Sequence, residues 1–242
     1  MSPFWLLIFA HIVSDFPLQT DKVYRIKKSY KWGVLLHVSI CTIVNIIVLI
    51  PLLGYWQAWV TIAILFVVHA LLDKSKIIIT GKILSDGFLY FLADQIMHVF
   101  TIWLASSIIF NLGQLTQSNA FFPGFYNNPA LIIIFSGLLL SVFGGAPVVY
   151  YSLLYNARKR TGSVSGQIQF PRFVERIPGY WERSVITLAM IFGGYYYILA
   201  FLAFIPALLA KNRNDDLKIS MISSFAIGII VGALTRVILF II

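Results

Sequence analysis

Apolar runs about as long as a bilayer is thick recur through this sequence, and they leave it few ways to fold. A hydrocarbon core of roughly 30 Å asks for about 20 apolar residues per helix. About seven such runs follow one another, near residues 3–20, 34–53, 56–79, 87–112, 129–155, 183–210 and 217–242. With 60% hydrophobic and 11% charged residues and a mean hydropathy of +0.88, an ordinary soluble domain is excluded. The expected fold is all-α, a polytopic transmembrane helix bundle of about seven spans. It reads as one integral membrane domain over residues 1–242, with 1–112 as a four-helix half and 113–242 as supporting helices. The opening MSPFWLLIF has no basic leader, so the first span is expected to be retained.

The polar breaks set the orientation. Lys22, Arg25, Lys27, Lys28 and Lys31 are interleaved with Val23, Tyr24, Ile26 and Tyr30. That pattern suits either a short interfacial helix on anionic headgroups or a solvated loop. Apart from Lys211, Arg213, Lys218 and Arg236, the lysines and arginines cluster after spans one, three and five. The positive-inside rule then places the N-terminus outside and the C-terminus in the cytoplasm. Asp86 and Gly87 open the fourth span, Gly144 to Pro147 predict a kink or close helix contact in the fifth, and residues 156–182 read as a loop leading into re-entry.

All four histidines lie inside apolar runs, and three have an aspartate four positions away on the same helical face. These are His11 with Asp15, His69 with Asp73 and, in reversed order, Asp94 with His98. Spans one and three run inward and span four runs outward, so the reversal brings all three aspartates to one depth. His11, His69 and His98 then share a second depth about 6 Å away, at roughly 1.5 Å per residue. His37, on the second span, falls near the aspartates. Independent core residues have no reason to keep such levels.

An ionised aspartate near the middle of a membrane helix costs about 2.5 to 3.5 kcal/mol. A divalent cation offsets that cost and takes neutral imidazoles as further ligands. Mixed imidazole and carboxylate donors suit zinc best, with iron, manganese or nickel as alternatives. The candidate ligands are His11, Asp15, His37, His69, Asp73, Asp94 and His98. They exceed the needs of one tetrahedral ion, so either two ions share them or some orient ligands, and Asp15, Asp73 or Asp94 acts as the general base. Gln19 and Gln95 are expected to hydrogen-bond ligands or backbone. Lys74 neutralises Asp73 or, with Lys76 and the cations of residues 22–31, either holds an anionic headgroup or simply sets topology. Cys41, the single cysteine, excludes a disulfide framework and a thiolate-rich zinc motif, and it reads as packing. Glu182 complements a helix dipole or serves as a proton shuttle at the mouth of the site. Arg183 is expected to snorkel or, with Glu182, to support the site or bind substrate, and Arg236 to snorkel or pair.

These residues resemble an uncharacterised bacterial family of polytopic membrane proteins, a domain of unknown function. Its pattern is His-x3-Asp-Phe-x-Leu-Gln, a histidine on the second span, His-x3-Asp-x-x-Lys, and Asp-Gln-x2-His. Here those are His11 to Gln19 in HIVSDFPLQ, His37, His69 to Lys76, and Asp94 to His98 in DQIMH. A later Gly-x-x-Glu-Arg element and Ala-Lys-x-x-Arg element are similar to Gly179, Glu182, Arg183, Lys211 and Arg213. Cys41 departs from the pattern, which has a second histidine there. The resemblance implies a multi-pass protein of the bacterial inner membrane. Its His/Asp pattern is similar to predicted membrane-bound metal-dependent hydrolases, which implies hydrolysis.

The leading expectation is a metal-dependent, zinc-class hydrolase acting on a lipid or lipid-linked substrate from the cytoplasmic leaflet. A cation or proton-coupled transporter would use the same ring of donors but needs a polar path to the outer face. A haem-binding electron carrier would find three aspartates poor neighbours, and a scaffolding protein would bind no metal. Expected partners are membrane lipids and no nucleic acid, and a homo-oligomer is compatible with the sequence.

Overall fold

The computed structural model describes residues 3–82, 87–116, 123–126, 128–161, 170–209 and 215–242. Helix is the regular structure throughout these residues, and the chain divides into two units, Met1–Ser136 and Gly137–Ile242. Asp86, Lys211 and Arg213 lie outside the described residues.

In the first unit α1 (Pro3–Asp15) stops just before Pro17, whose ring disfavours helical geometry at Phe16. The basic stretch that follows is a helix, α2 (Asp21–Ser29). Thr20 caps it, its hydroxyl accepting from Val23 N at 3.4 Å, with Asp21 in the first turn and Lys27 and Lys28 in the last. Then come α3 (Gly33–Val48), a 3-10 turn at Ile50–Leu52, α4 (Trp56–Lys82) and α5 (Phe88–Ser106). A 3-10 stretch (Ser107–Thr116), the short α6 (Pro123–Tyr126) and most of α7 (Pro129–Leu139) complete the unit.

Helix α1 packs on α3 and α5, α4 packs between α3 and α5, and α2 lies against α3. Leu6 and Ala10 meet Val44, Val48, Tyr126 and Ile132 in an apolar core, and the Tyr126 hydroxyl donates to Val48 O at 3.0 Å. The outer face of α5 is the reverse of a soluble helix. Leu89, Ile96, Phe100 and Trp103 are exposed while His98 and Ser106 are buried. An apolar outside with polar groups within is the arrangement a lipid environment selects.

In the second unit a π-helical turn (Leu140–Gly144) leads into α8 (Gly145–Thr161), followed by α9 (Phe173–Phe192), α10 (Tyr197–Leu209) and α11 (Asp215–Ile241). The close packing expected near Gly144 to Pro147 is present, because a Cβ on Gly145 would come within 2.8 Å of Arg183 Nε. The π turn includes Val142. Arg183 does not snorkel: it is buried, donating to Val142 O at 2.9 Å and to Ser224 Oγ at 2.5 Å. Arg236 pairs, donating to the Tyr197 hydroxyl at 2.8 Å.

The expected sixth span is not one helix. Helix α9 starts at Phe173, where Glu175 Oε2 accepts from Arg172 N at 2.8 Å, and it ends where Gly193 and Gly194 turn to φ of 70° and 58°. Among the described residues, three helical stretches are long and apolar enough to cross a membrane, Phe88–Asn111, Pro129–Arg160 and Asp215–Ile241. The apolar stretches Pro3–Asp15, Gly33–Val48 and Gly194–Ile205 are shorter. At roughly 1.5 Å per residue α1 is only about 20 Å long, so its length alone does not carry it across a core of roughly 30 Å.

Candidate metal centre

Each donor is delivered by helical spacing. His11 and Asp15 lie one turn apart on α1, His37 and Cys41 on α3, His69 and Asp73 on α4, and Asp94 and His98 on α5. Packing of α1, α3, α4 and α5 brings these faces together in the interior of the first unit. His37 is 0% exposed, Asp73 1% and Asp15 4%.

The rings of His11 and His98 are stacked with centroids 5.2 Å apart, and His69 meets both, at 5.9 and 4.4 Å. These are the three histidines that the sequence places at one depth. His37 sits with the aspartates, its Nε2 3.5 Å from Asp15 Oδ1 and 3.6 Å from Asp73 Oδ2. His69 Nε2 also reaches both carboxylates, at 3.5 Å each. Two sets of donors have one atom from each residue within 4.8 Å of one another: Asp15, His37, Cys41 and His69, and His69, Asp73 and His98. His11 and Asp94 belong to neither set, yet both touch the cluster. His11 Nδ1 is 3.6 Å from Asp15 Oδ1, and Asp94 Oδ1 is 3.7 Å from His98 Nδ1.

Two of the three carboxylates already have a cation. Lys27 Nζ, from α2, lies 2.6 Å from Asp73 Oδ2, and Lys76 Nζ lies 2.9 Å from Asp94 Oδ2. Gln19 holds the first arrangement in place, donating to Asp15 O at 2.7 Å and accepting from Lys27 at 3.1 Å. Gln95 donates to Asp94 Oδ2 at 3.2 Å. Lys74 is exposed, and Lys27 takes the place at Asp73 that the sequence offered to it. Asp15 differs from the other two: among the described residues no lysine or arginine lies within 4.0 Å of its carboxylate, which faces three imidazoles and a thiol.

The buried cluster could hold a metal ion. His98 Nδ1 is 2.7 Å from the Asp94 carbonyl oxygen, which fixes the proton on Nδ1 and leaves the Nε2 lone pair free. The Nε2 atoms of His11, His69 and His98 are buried with no hydrogen-bond partner. Buried polar nitrogens left unpaired cost about 1 to 3 kcal/mol each, and His69 and His98 each belong to a donor set spaced so that it could hold a metal ion. Beside them is a cavity of about 20 Å³, lined by His11, His69, His98, Cys41, Asn45 and Thr101 among others. That is enough for a single water, which needs roughly 10 to 15 Å³.

Sequence reasoning missed the parts played by Cys41 and Lys27. Cys41 follows His37 by four positions, the same spacing that singled out the other pairs. Nothing marks Lys27 among its basic neighbours except that Val23, Ile26 and Lys27 form the inward stripe of α2. Glu182 and Arg183 lie in the second unit, and Arg183 makes the contacts with Ser224 and Val142 described above.

An all-helical chain with membrane-length helices and a buried His/Asp/Cys cluster able to hold a metal ion is the class that fold and site define. Residues 4–122, just under half of the chain, match the family described as a protein of unknown function (DUF3307), and that range contains every donor of the cluster. No curated protein and no solved structure matches the chain.

Proposed function

We propose that the cluster binds a zinc-class divalent cation and that the protein is a metal-dependent hydrolase of a lipid or lipid-linked ester or phosphodiester. The observation that carries the reading is the spacing of donors on Asp15, His37 and His69, one atom from each within 4.8 Å of the others, with no hydrogen bond to His69 Nε2 and no ammonium partner for Asp15. Asp15, His37 and His69 would be among the residues that hold the ion, which would supply a Lewis acid and an activated water beside the cavity. A zinc ion with an open position lowers the pKa of a bound water to about 7 and polarises a carbonyl or phosphoryl oxygen. His98, whose Nδ1 proton is committed to the Asp94 carbonyl, receives the water proton on Nε2. With an ion bound, the water oxygen would join the acyl or phosphoryl centre as the ester bond breaks, and His98 would return the proton to the leaving oxygen.

This reading takes the protein as a multi-pass protein of the bacterial inner membrane with about seven spans, short helices such as α1 included, and the N-terminus outside. Lys27 and Lys76 then lie on the cytoplasmic side of the histidines, and substrate arrives from that leaflet. A second reading, cation transport, is favoured by one observation. Asn45 and Thr101 extend the polar lining beyond Cys41 and His98, away from the aspartates. The test is incubation of purified protein, loaded with zinc, with a lipid extract of the source membrane. Hydrolysis products formed by wild type and lost in Asp15→Asn and His98→Ala support the enzyme. Zinc uptake into vesicles without any such product supports transport instead.

A further inference from the structure

The thiol of Cys41 lies among the donors proposed to hold the ion, and the reading above gives it no role. Its Sγ is buried, 3.6 Å from His37 Nε2 and 3.7 Å from Asp15 Oδ1. Asp15 Oδ1 in turn is 3.5 Å from His37 Nε2 and 3.5 Å from His69 Nε2. All four donor atoms lie within 4.8 Å of one another. For a tetrahedral ion with bonds of about 2.0 to 2.3 Å, the ligand atoms are separated by about 1.63 times the bond length, roughly 3.3 to 3.8 Å. The four separations just given fall inside that window. A second observation is independent of the sulfur: His69 Nε2, on a residue 9% exposed, is aimed into this group with no hydrogen-bond partner.

We propose that Cys41 is a thiolate ligand, so that Asp15, His37, Cys41 and His69 form a sulfur, two-nitrogen, one-oxygen sphere around the ion. The inference rests on the reading that the cluster binds a divalent metal. A thiol that merely donated a hydrogen bond would not need an imidazole nitrogen at ligand spacing on its other side. Loading exchanges one metal ion for the Sγ proton, which leaves to solvent.

Two consequences follow from sulfur in the sphere. Selectivity moves toward zinc, cobalt and cadmium and away from magnesium, calcium and manganese, which prefer oxygen. Four protein ligands also move the water of the proposed hydrolysis to a fifth position, on the side of the cavity bounded by His11 and His98, a coordination number that catalytic zinc reaches when it expands.

The test uses the full chain in detergent, stripped of metal and titrated with cobalt(II). The wild type is expected to show visible ligand-field bands together with a sulfur-to-cobalt charge-transfer band in the near ultraviolet. Cys41→Ser should keep the visible bands, lose the near-ultraviolet band and bind more weakly by over the roughly 10- to 100-fold typical of an outer-shell loss. Visible bands without the charge-transfer band in wild type would overturn the thiolate while leaving the metal site standing. No cobalt bands at all would overturn both. Should Cys41→Ser fail to fold, the wild-type spectrum still decides, and protection of Cys41 from alkylation by zinc in wild type but not in Asp15→Asn gives a second readout.

Discussion

Replacing Lys27 with methionine removes an ammonium while keeping most of the packed stem. At 2.6 Å from Asp73 Oδ2, the attraction amounts to about 6 kcal/mol at an effective dielectric of roughly 20, before the desolvation of both groups is subtracted. Deleting one partner of a buried pair leaves the other charge stranded, a loss of about 3 to 5 kcal/mol. Asp73 is 1% exposed, so Lys27→Met should fall in that range for the metal-free protein. Asp73→Asn in the same chain removes the stranded charge. The double variant should therefore be more stable than Lys27→Met alone, and the cycle should show coupling well above the roughly 0.5 kcal/mol expected of independent sites. The assay is denaturant unfolding in detergent followed by circular dichroism, with and without added zinc, which should narrow the Lys27→Met deficit. A Lys27→Met variant within about 0.5 kcal/mol of wild type, or additive losses in the double variant, would refute the reasoning.

Two further predictions concern the supports. Gly33→Ala places a Cβ against the Ile26 carbonyl and 2.8 Å from Lys27 Cα, forcing α2 off α3. It should destabilise by about 1 to 3 kcal/mol and add less than its full loss to Lys27→Met, measured in the same unfolding assay. Arg183→Lys keeps the charge but not the fork that serves Ser224 and Val142, so it should lower the thermal midpoint nearly as much as Arg183→Met. A lysine variant as stable as wild type would show that the two hydrogen bonds do not matter.

Much of the centre was legible because the four-residue period of a helix is strict. Two residues four apart share a face wherever the helix ends up, and the reversed order of Asp94 and His98 already encodes an antiparallel neighbour. The meeting of His37 with Asp15 and Asp73 follows from the same depth argument. Lys27 was not legible in this way. Which face of α2 turns inward depends on contact with α3, and Lys22, Arg25 and Lys28 have the same chemistry. Cys41 had the right spacing, but a cysteine in an apolar helix packs as a small hydrophobe far more often than it ligates. In the second unit hydropathy ran straight across Gly193 and Gly194, since apolar neighbours hide a backbone break that only the positive φ values reveal. The start of α9 at Phe173 was hidden for the opposite reason, because its first turns are polar.

The most direct measurement is the metal content of the purified protein, by elemental analysis, beside Asp15→Asn and His69→Ala made and purified in the same way. Stoichiometric zinc or a neighbouring transition metal in the wild type, with most of it lost in both variants, is the result expected. A folded wild type that carries no such metal and takes none up, or variants that retain it undiminished, would contradict the account.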